Sequence, residues 1–161
     1  ATPTPLLAGL VGRPDLDGVT LYHLHTSGPA PFAEPEVADR FLSAAGSKSY
    51  GATSVLIQLT AHPLGLHPVA RTCFRPPPNV DSALVAFERQ RDWGDEYPWL
   101  KAVVQGAFAH RRKTLANSLQ LAGVATREEA VAALAALGRD PSVRAEALDP
   151  TVFVELARRL P

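Results

Sequence analysis

Residues Phe74 to Val85 read FRPPPNVDSALV, and the three prolines at the centre decide how the chain on either side is built. Each proline ring holds φ near about −65° and removes a backbone donor. Pro76, Pro77 and Pro78 therefore predict a stiff, extended, polyproline-like rod that cannot pair as an interior strand. The runs that flank it, Pro68 to Cys73 and Val80 to Arg89, are rich in Val, Leu, Ala and Phe with few charges and predict two strands. Phe74 is thereby presented from a rigid lip. A ring so displayed suits stacking on a flat ligand, and nucleic-acid bases are the commonest large flat ligands. It equally suits packing into a local core where the prolines end a strand.

Upstream, Pro5 to Val11 reads as the end of a short helix. Gly18 to Leu24 reads as a strand leaving an Asp-Gly turn, and Glu34 to Ala45 and Tyr50 to Ala61 read as helices. Downstream of Pro98 the period becomes helical: Trp99, Leu100, Val103, Val104, Ala107 and Phe108 share one stripe, and Leu115 and Leu119 continue the pattern. Thr126 with Glu129 forms a capping box and Gly138 supplies a stop. Asp140-Pro141 and Asp149-Pro150 each predict a helix start, the second helix carrying Val152, Phe153, Leu156 and Leu160. Gln90 to Tyr97, QRDWGDEY, is polar with one glycine and reads as a short domain linker. The fold class expected is α/β plus all-α: a partial α/β layer over residues 1–90, then a small helical domain over 91–161.

Sixteen basic and sixteen acidic residues cancel, so any nucleic-acid contact has to come from local clusters rather than a global field. The one cysteine, Cys73, excludes an internal disulfide framework. His23 and His25 alternate along a strand without a third ligand at fixed spacing, which leaves no metal site, and no serine sits in a GxSxG elbow. Apolar runs fall short of a membrane span and the start lacks the basic flank of a signal peptide, so cytoplasmic residence is expected. Met is absent from all 161 residues, which suggests a piece of a longer polypeptide or an unusual start.

Phe74, Pro76, Pro78, Val80, Asp81 and Ser82 write FxPxPxVDS, which resembles a signature of the ribosomal RNA adenine N6-dimethyltransferases, the bacterial small-subunit enzyme and its macrolide-resistance relatives. GSKSYGATSV, Gly46 to Val55, resembles the family's GSKxYGxxSV, and FAHRRKTLANSL, Phe108 to Leu119, resembles FxxRRKxLxNxL in the same order. Leu137 to Leu160 is similar to the family's LGIDPxxRxExL stretch, so the resemblance covers most of residues 36–160. Thr4 to Leu7 looks like the TPLL that follows the family's catalytic NLPY. The chain is therefore expected to open just downstream of that motif. Tyr22 to Pro35 departs from the pattern and reads as a divergent loop or a reading-frame scar.

The resemblance implies the distal half of a Rossmann-like methyltransferase sheet followed by a helical RNA-binding domain, acting on small-subunit ribosomal RNA with S-adenosylmethionine as donor. The adenine amino nitrogen has its lone pair delocalised into the ring, and the family polarises it with the Asn side chain and Pro carbonyl of NLPY. Neither NLPY nor a glycine-rich GxG turn for the donor occurs among the eleven scattered glycines of this sequence. No catalytic residue and no cofactor ligand is therefore assigned, and the chain alone is expected to be inactive and, if folded, monomeric. By the same resemblance Phe74 is the ring that stacks on the extruded target adenine.

Arg111, Arg112 and Lys113 lie at a helix start or turn and suit RNA phosphates or a domain interface, or simply a solvated helix face. Lys48, between two glycines, reaches a phosphate, or else its loop merely joins two helices and lets Tyr50 cap the core. Asp81 and Ser82 read as turn-forming residues. Two other function classes remain open: a non-catalytic RNA- or ribosome-binding module, and a non-functional fragment whose open sheet edge would aggregate.

Overall fold

Long-range pairing sets the strand order, and the positions of proline and glycine are compatible with it. A computed structural model of the chain describes residues 19–24, 40–73, 75–77 and 82–161. Among the described residues three strands form one sheet, β1 (Val19–Leu24), β2 (Ala61–Val69) and β3 (Ser82–Arg89), in the order β1-β3-β2. β3 contains neither proline nor glycine, so each of its residues can donate and accept, and it takes the centre. β2 carries Pro63, Gly65 and Pro68 and takes an edge, where a missing donor costs no ladder bond. Both neighbours run antiparallel to β3, with His23 opposite Leu84 on one side and Leu66 opposite Val85 on the other. The β2–β3 register shifts between Pro63 and Gly65, and the extra residue, Leu64, is 51% exposed.

The expected strand at Pro68 to Cys73 is corrected. The strand begins at Ala61, and Arg71–Cys73 is a 3-10 turn in which the Cys73 N–H donates to Ala70 O at 3.0 Å. The preceding helix, α1 (Ala52–Thr60), passes directly into the strand, because Ala61 is already extended at φ −148°, ψ 156°. Pairing with β3 as far as Arg89 then overrides the two prolines. α1 packs Ile57 against Phe87, which is 2% exposed and meets Phe41 edge-on at 5.8 Å.

Four helices follow: α2 (Tyr97–Phe108), α3 (Leu115–Leu121), α4 (Arg127–Ala136) and α5 (Pro150–Ala157). Val103 and Val104 of α2, Leu115 and Leu119 of α3, Leu134 of α4 and Phe153 and Leu156 of α5 are fully buried together. Prolines stand in the first turns of α2 and α5, where a missing N–H costs nothing. The capping box of α4 is present, Glu129 N–H donating to Thr126 Oγ1 at 3.2 Å and Thr126 N–H to Glu129 Oε2 at 2.8 Å. α4 ends as expected at Gly138, whose φ of +65° places Arg139 N–H on Leu134 O and Gly138 N–H on Ala135 O, both at 2.9 Å. At Gly106 α2 comes close to α3 and the segment after it: a Cβ would lie 3.4 Å from Leu119 Cδ2 and 2.6 Å from Val124 Cγ2.

Asp140-Pro141 does not open a helix. Asp140 Oδ1 accepts from Ser142 N–H at 2.7 Å, and only a 3-10 turn, Ala145–Ala147, follows. The carbonyls a helix would need are committed elsewhere: Val143 O accepts from Leu115 N–H at 2.9 Å and Glu146 O from Gly46 N–H at 2.7 Å. The segment Gln90 to Tyr97 is also more than a polar tether. Trp93 is buried, its Nε1–H donates to Leu59 O at 2.9 Å, and Gln90 N–H donates to Thr60 O at 3.0 Å. Tyr50, Val55 and Trp93 thus share one core with the four helices. Among the described residues no helix is long and apolar enough to cross a membrane.

Candidate functional site

The loop Gly46 to Gly51 is clamped at both ends. Gly46 has φ +84°, a conformation that a side chain resists, and its N–H donates to Glu146 O. Tyr50 is buried and its hydroxyl donates to Leu148 O at 2.8 Å. Burial, with a smaller push from the Asp149 carboxylate, raises the phenol well above its ordinary range, so it stays a neutral donor. Ser54 Oγ accepts from Gly51 N–H at 3.1 Å and donates to Arg40 O, which ties the start of α1 to the helical residues 40–42. Gln58 Nε2 adds a bond to Ser43 O at 2.7 Å.

Phe108, at the end of α2, meets Tyr50 edge-on at 5.8 Å and Phe153 at 5.7 Å. This packing brings the turn after α2 over the loop, and Arg111 Nη2 donates to Lys48 O at 3.4 Å. Between loop and turn opens a cleft of about 460 Å³ lined by Arg40, Lys48, Phe108, Arg111 and the residues from Ser49 to Ser54. Among the described residues, three cationic ones and no carboxylate line it. Its floor is the first turn of α1, whose amides from Ala52 to Ser54 lack intrahelical acceptors and carry the positive end of the helix dipole. Such a cleft favours an anion with several acceptor oxygens. Among the described residues it contains no pair of groups for acid–base or nucleophilic chemistry.

Lys48 and Arg111, singled out from the sequence, are therefore brought together although they lie 63 residues apart. Arg112 and Lys113 are exposed on the same turn and do not line the cleft. Arg40 joins the site without having been singled out; it lies within the stretch 36–160 over which the sequence resembles the family. Phe74 and Asp81 lie outside the described residues, as do Pro5 to Val11 and His25. Among the described residues no group of three or more His, Cys, Asp or Glu could hold a metal ion. Nor do the described residues fit S-adenosylmethionine, since no strand among them runs through a GxG turn into a helix.

A three-stranded antiparallel sheet and α1 are joined to a four-helix unit, with a cationic cleft beside the joint. Comparisons with known proteins place the chain more narrowly. The family model described as ribosomal RNA adenine dimethylase matches residues 32–148. The ribosomal RNA small subunit methyltransferase A of Rubrobacter xylanophilus is 48% identical over 125 residues, covering 78% of this chain and 47% of that protein. Its namesake from Myxococcus xanthus is 34% identical over 173 residues, covering 95% of this chain and 61% of that one. The crystal structure of a dimethyladenosine transferase from Plasmodium falciparum superimposes with a TM-score of 0.66 over 94% of this chain and 60% of its own, at 19% identity, a likeness of fold alone. The chain belongs to the ribosomal RNA adenine dimethylase family, and it spans about half the length of the first of these relatives, 47%.

Proposed function

We propose that the chain is the RNA-facing, C-terminal portion of an S-adenosylmethionine-dependent adenine N6-dimethyltransferase of small-subunit ribosomal RNA. The observation that carries this reading is the cleft in which Arg40, Lys48 and Arg111 surround the first turn of α1. Its cationic residues and the free amides of the first turn of α1 suit a phosphodiester of a folded RNA, held by charge and by backbone amides rather than by base edges. Arg112 and Lys113, exposed beside it, extend the same positive rim. Phe74 belongs to the substrate side as well, as the ring on which the target adenine stacks.

In this reading residues 1–90 contribute the distal part of the catalytic sheet and 91–161 the RNA-docking helices, with Tyr50 and Trp93 joining the two. Donor binding and N6 polarisation need GxG and NLPY elements that this sequence does not contain. The chain alone is then inactive, monomeric and cytoplasmic. The purely cationic lining among the described residues favours, as a second reading, a module that docks on the ribosome without catalysis.

Titration of unmethylated small subunits at several salt concentrations tests the docking claim. Lys48→Ala with Arg111→Ala should weaken binding and lower the slope of log K against log salt by about one for each phosphate left without its cation. Unchanged affinity and slope would remove the cleft from the RNA surface. Radiolabelled S-adenosylmethionine added to the same mixture should give no methyl transfer, and robust incorporation would overturn the incompleteness.

A further inference from the structure

A second cavity, of about 470 Å³, opens at the opposite end of α1, between its last turn, the end of β3 and the segment 91–97. Its volume lies in the range of about 300 to 1,000 Å³ that holds small organic ligands. Trp93 forms one wall, fixed by burial and by its bond to Leu59 O. The Arg91 guanidinium lies over that ring, 4.0 Å from its centroid, and the side chain remains exposed. Arg89 is exposed at the rim, and among the described residues neither arginine has a carboxylate partner. Asp92, the one acid among the described residues of the lining, is engaged by Gly94 N–H at 3.0 Å.

The chemistry is that of a stacking platform. A guanidinium held over an indole keeps its outer face free, and unstacked bases settle on such planes as readily as on aromatic rings. The C-terminal end of α1 disfavours an anion at the cavity floor. The base therefore belongs inside and the phosphate outside, on Arg89. α1 has nine residues, so at about 1.5 Å rise per residue its two ends lie about 13 Å apart. One RNA strand running beside the helix would meet a phosphate site at one end and a base site at the other.

We propose that this cavity binds a single unstacked nucleotide of RNA, its base on the outer face of Arg91 and its phosphate on Arg89. The proposal rests on the reading that the chain docks RNA, but its test separates the two. Trp99→Phe leaves Trp93 as the sole indole, since the chain has two tryptophans. Its emission is followed while a single-stranded oligoadenylate decamer, or an abasic ribose-phosphate decamer, is added.

The oligoadenylate should quench Trp93 and the abasic chain should not. Arg91→Ala should weaken the base-dependent binding roughly tenfold. Arg91→Lys should fail to restore it, because an ammonium keeps the charge but lacks the plane. The quench should persist in Lys48→Ala with Arg111→Ala, so loss of the first cleft does not imitate failure here. An equal response to the abasic chain, full rescue by lysine, or quenching by RNA-stripped ribosomal protein instead of RNA would overturn the proposal.

Discussion

In the helical unit most boundaries are marked by residues within a turn of them: Thr126 and Glu129 open α4, Gly138 closes it, and prolines sit in the first turns of α2 and α5. In the sheet the marks point the wrong way. β2 carries two prolines and a glycine, yet it runs nine residues because β3 supplies a partner along its length. One region is specified by short-range capping and an apolar stripe, the other by pairing between segments far apart in the chain. Local signals fix where an element starts and stops when its hydrogen bonds are internal; they fail when those bonds belong to another segment.

The largest test of that contrast is Phe153→Ala against Leu64→Ala. Phe153 is fully buried among four helices, so its truncation should cost about 3 to 5 kcal/mol. Leu64 bulges from the edge strand, half exposed, and its loss should stay within about 0.5 kcal/mol. Urea unfolding of both variants checks the difference, and comparable costs would mean that the sheet carries more of the stability than its burial indicates.

Tyr50→Phe probes the joint between the regions. It removes the hydroxyl that satisfies Leu148 O and should cost about 1 to 2 kcal/mol, with the loop Gly46 to Gly51 gaining faster amide exchange. It should also change the alkaline limb of stability. The folded phenol titrates above its unfolded value of 10.0, so the stabilisation is present below that pH and is lost as pH rises further. Melting curves of wild type should therefore fall above about pH 10 more steeply than those of Tyr50→Phe.

The smallest effect expected is at acid pH, and it falls on the helical unit. Glu129 is held below its ordinary value by the Thr126 backbone N–H, Asp140 by the Ser142 N–H, and Glu155 by the Arg159 guanidinium. A depressed carboxylate stabilises the fold above its unfolded value, here 4.5 for the glutamates and 3.8 for the aspartate, and ceases to as pH drops through the folded one. All three are exposed, so the loss should be a shallow decline in melting temperature below about pH 4.5, screened by salt. A decline that salt leaves untouched would point to buried carboxylates instead.

What could be read in advance follows the same division. α2 and α5 were legible because an apolar stripe and a first-turn proline sit on the same stretch, and α4 because a capping box opens it and Gly138 closes it. Asp140-Pro141 carried the same start signal and misled, since the carbonyls of Val143 and Glu146 are taken by Leu115 and Gly46. In the cleft, Lys48 and Arg111 were legible as charges in motifs, whereas their meeting was not, and Arg40 entered only because Ser54 draws its carbonyl to the start of α1.

By itself the sequence determined the family, the helical unit with the capping box and stop of α4, and the cationic residues available for a polyanion, because these depend on residue type and near-neighbour spacing. Tertiary structure alone decided the β1-β3-β2 order, the burial of Trp93 within a polar-looking tether and the convergence of Arg40, Lys48 and Arg111 on one helix end. Strand partners and side-chain neighbours are chosen by closing long loops against a shared core. That choice is a property of the whole chain, and no short window of residues contains it.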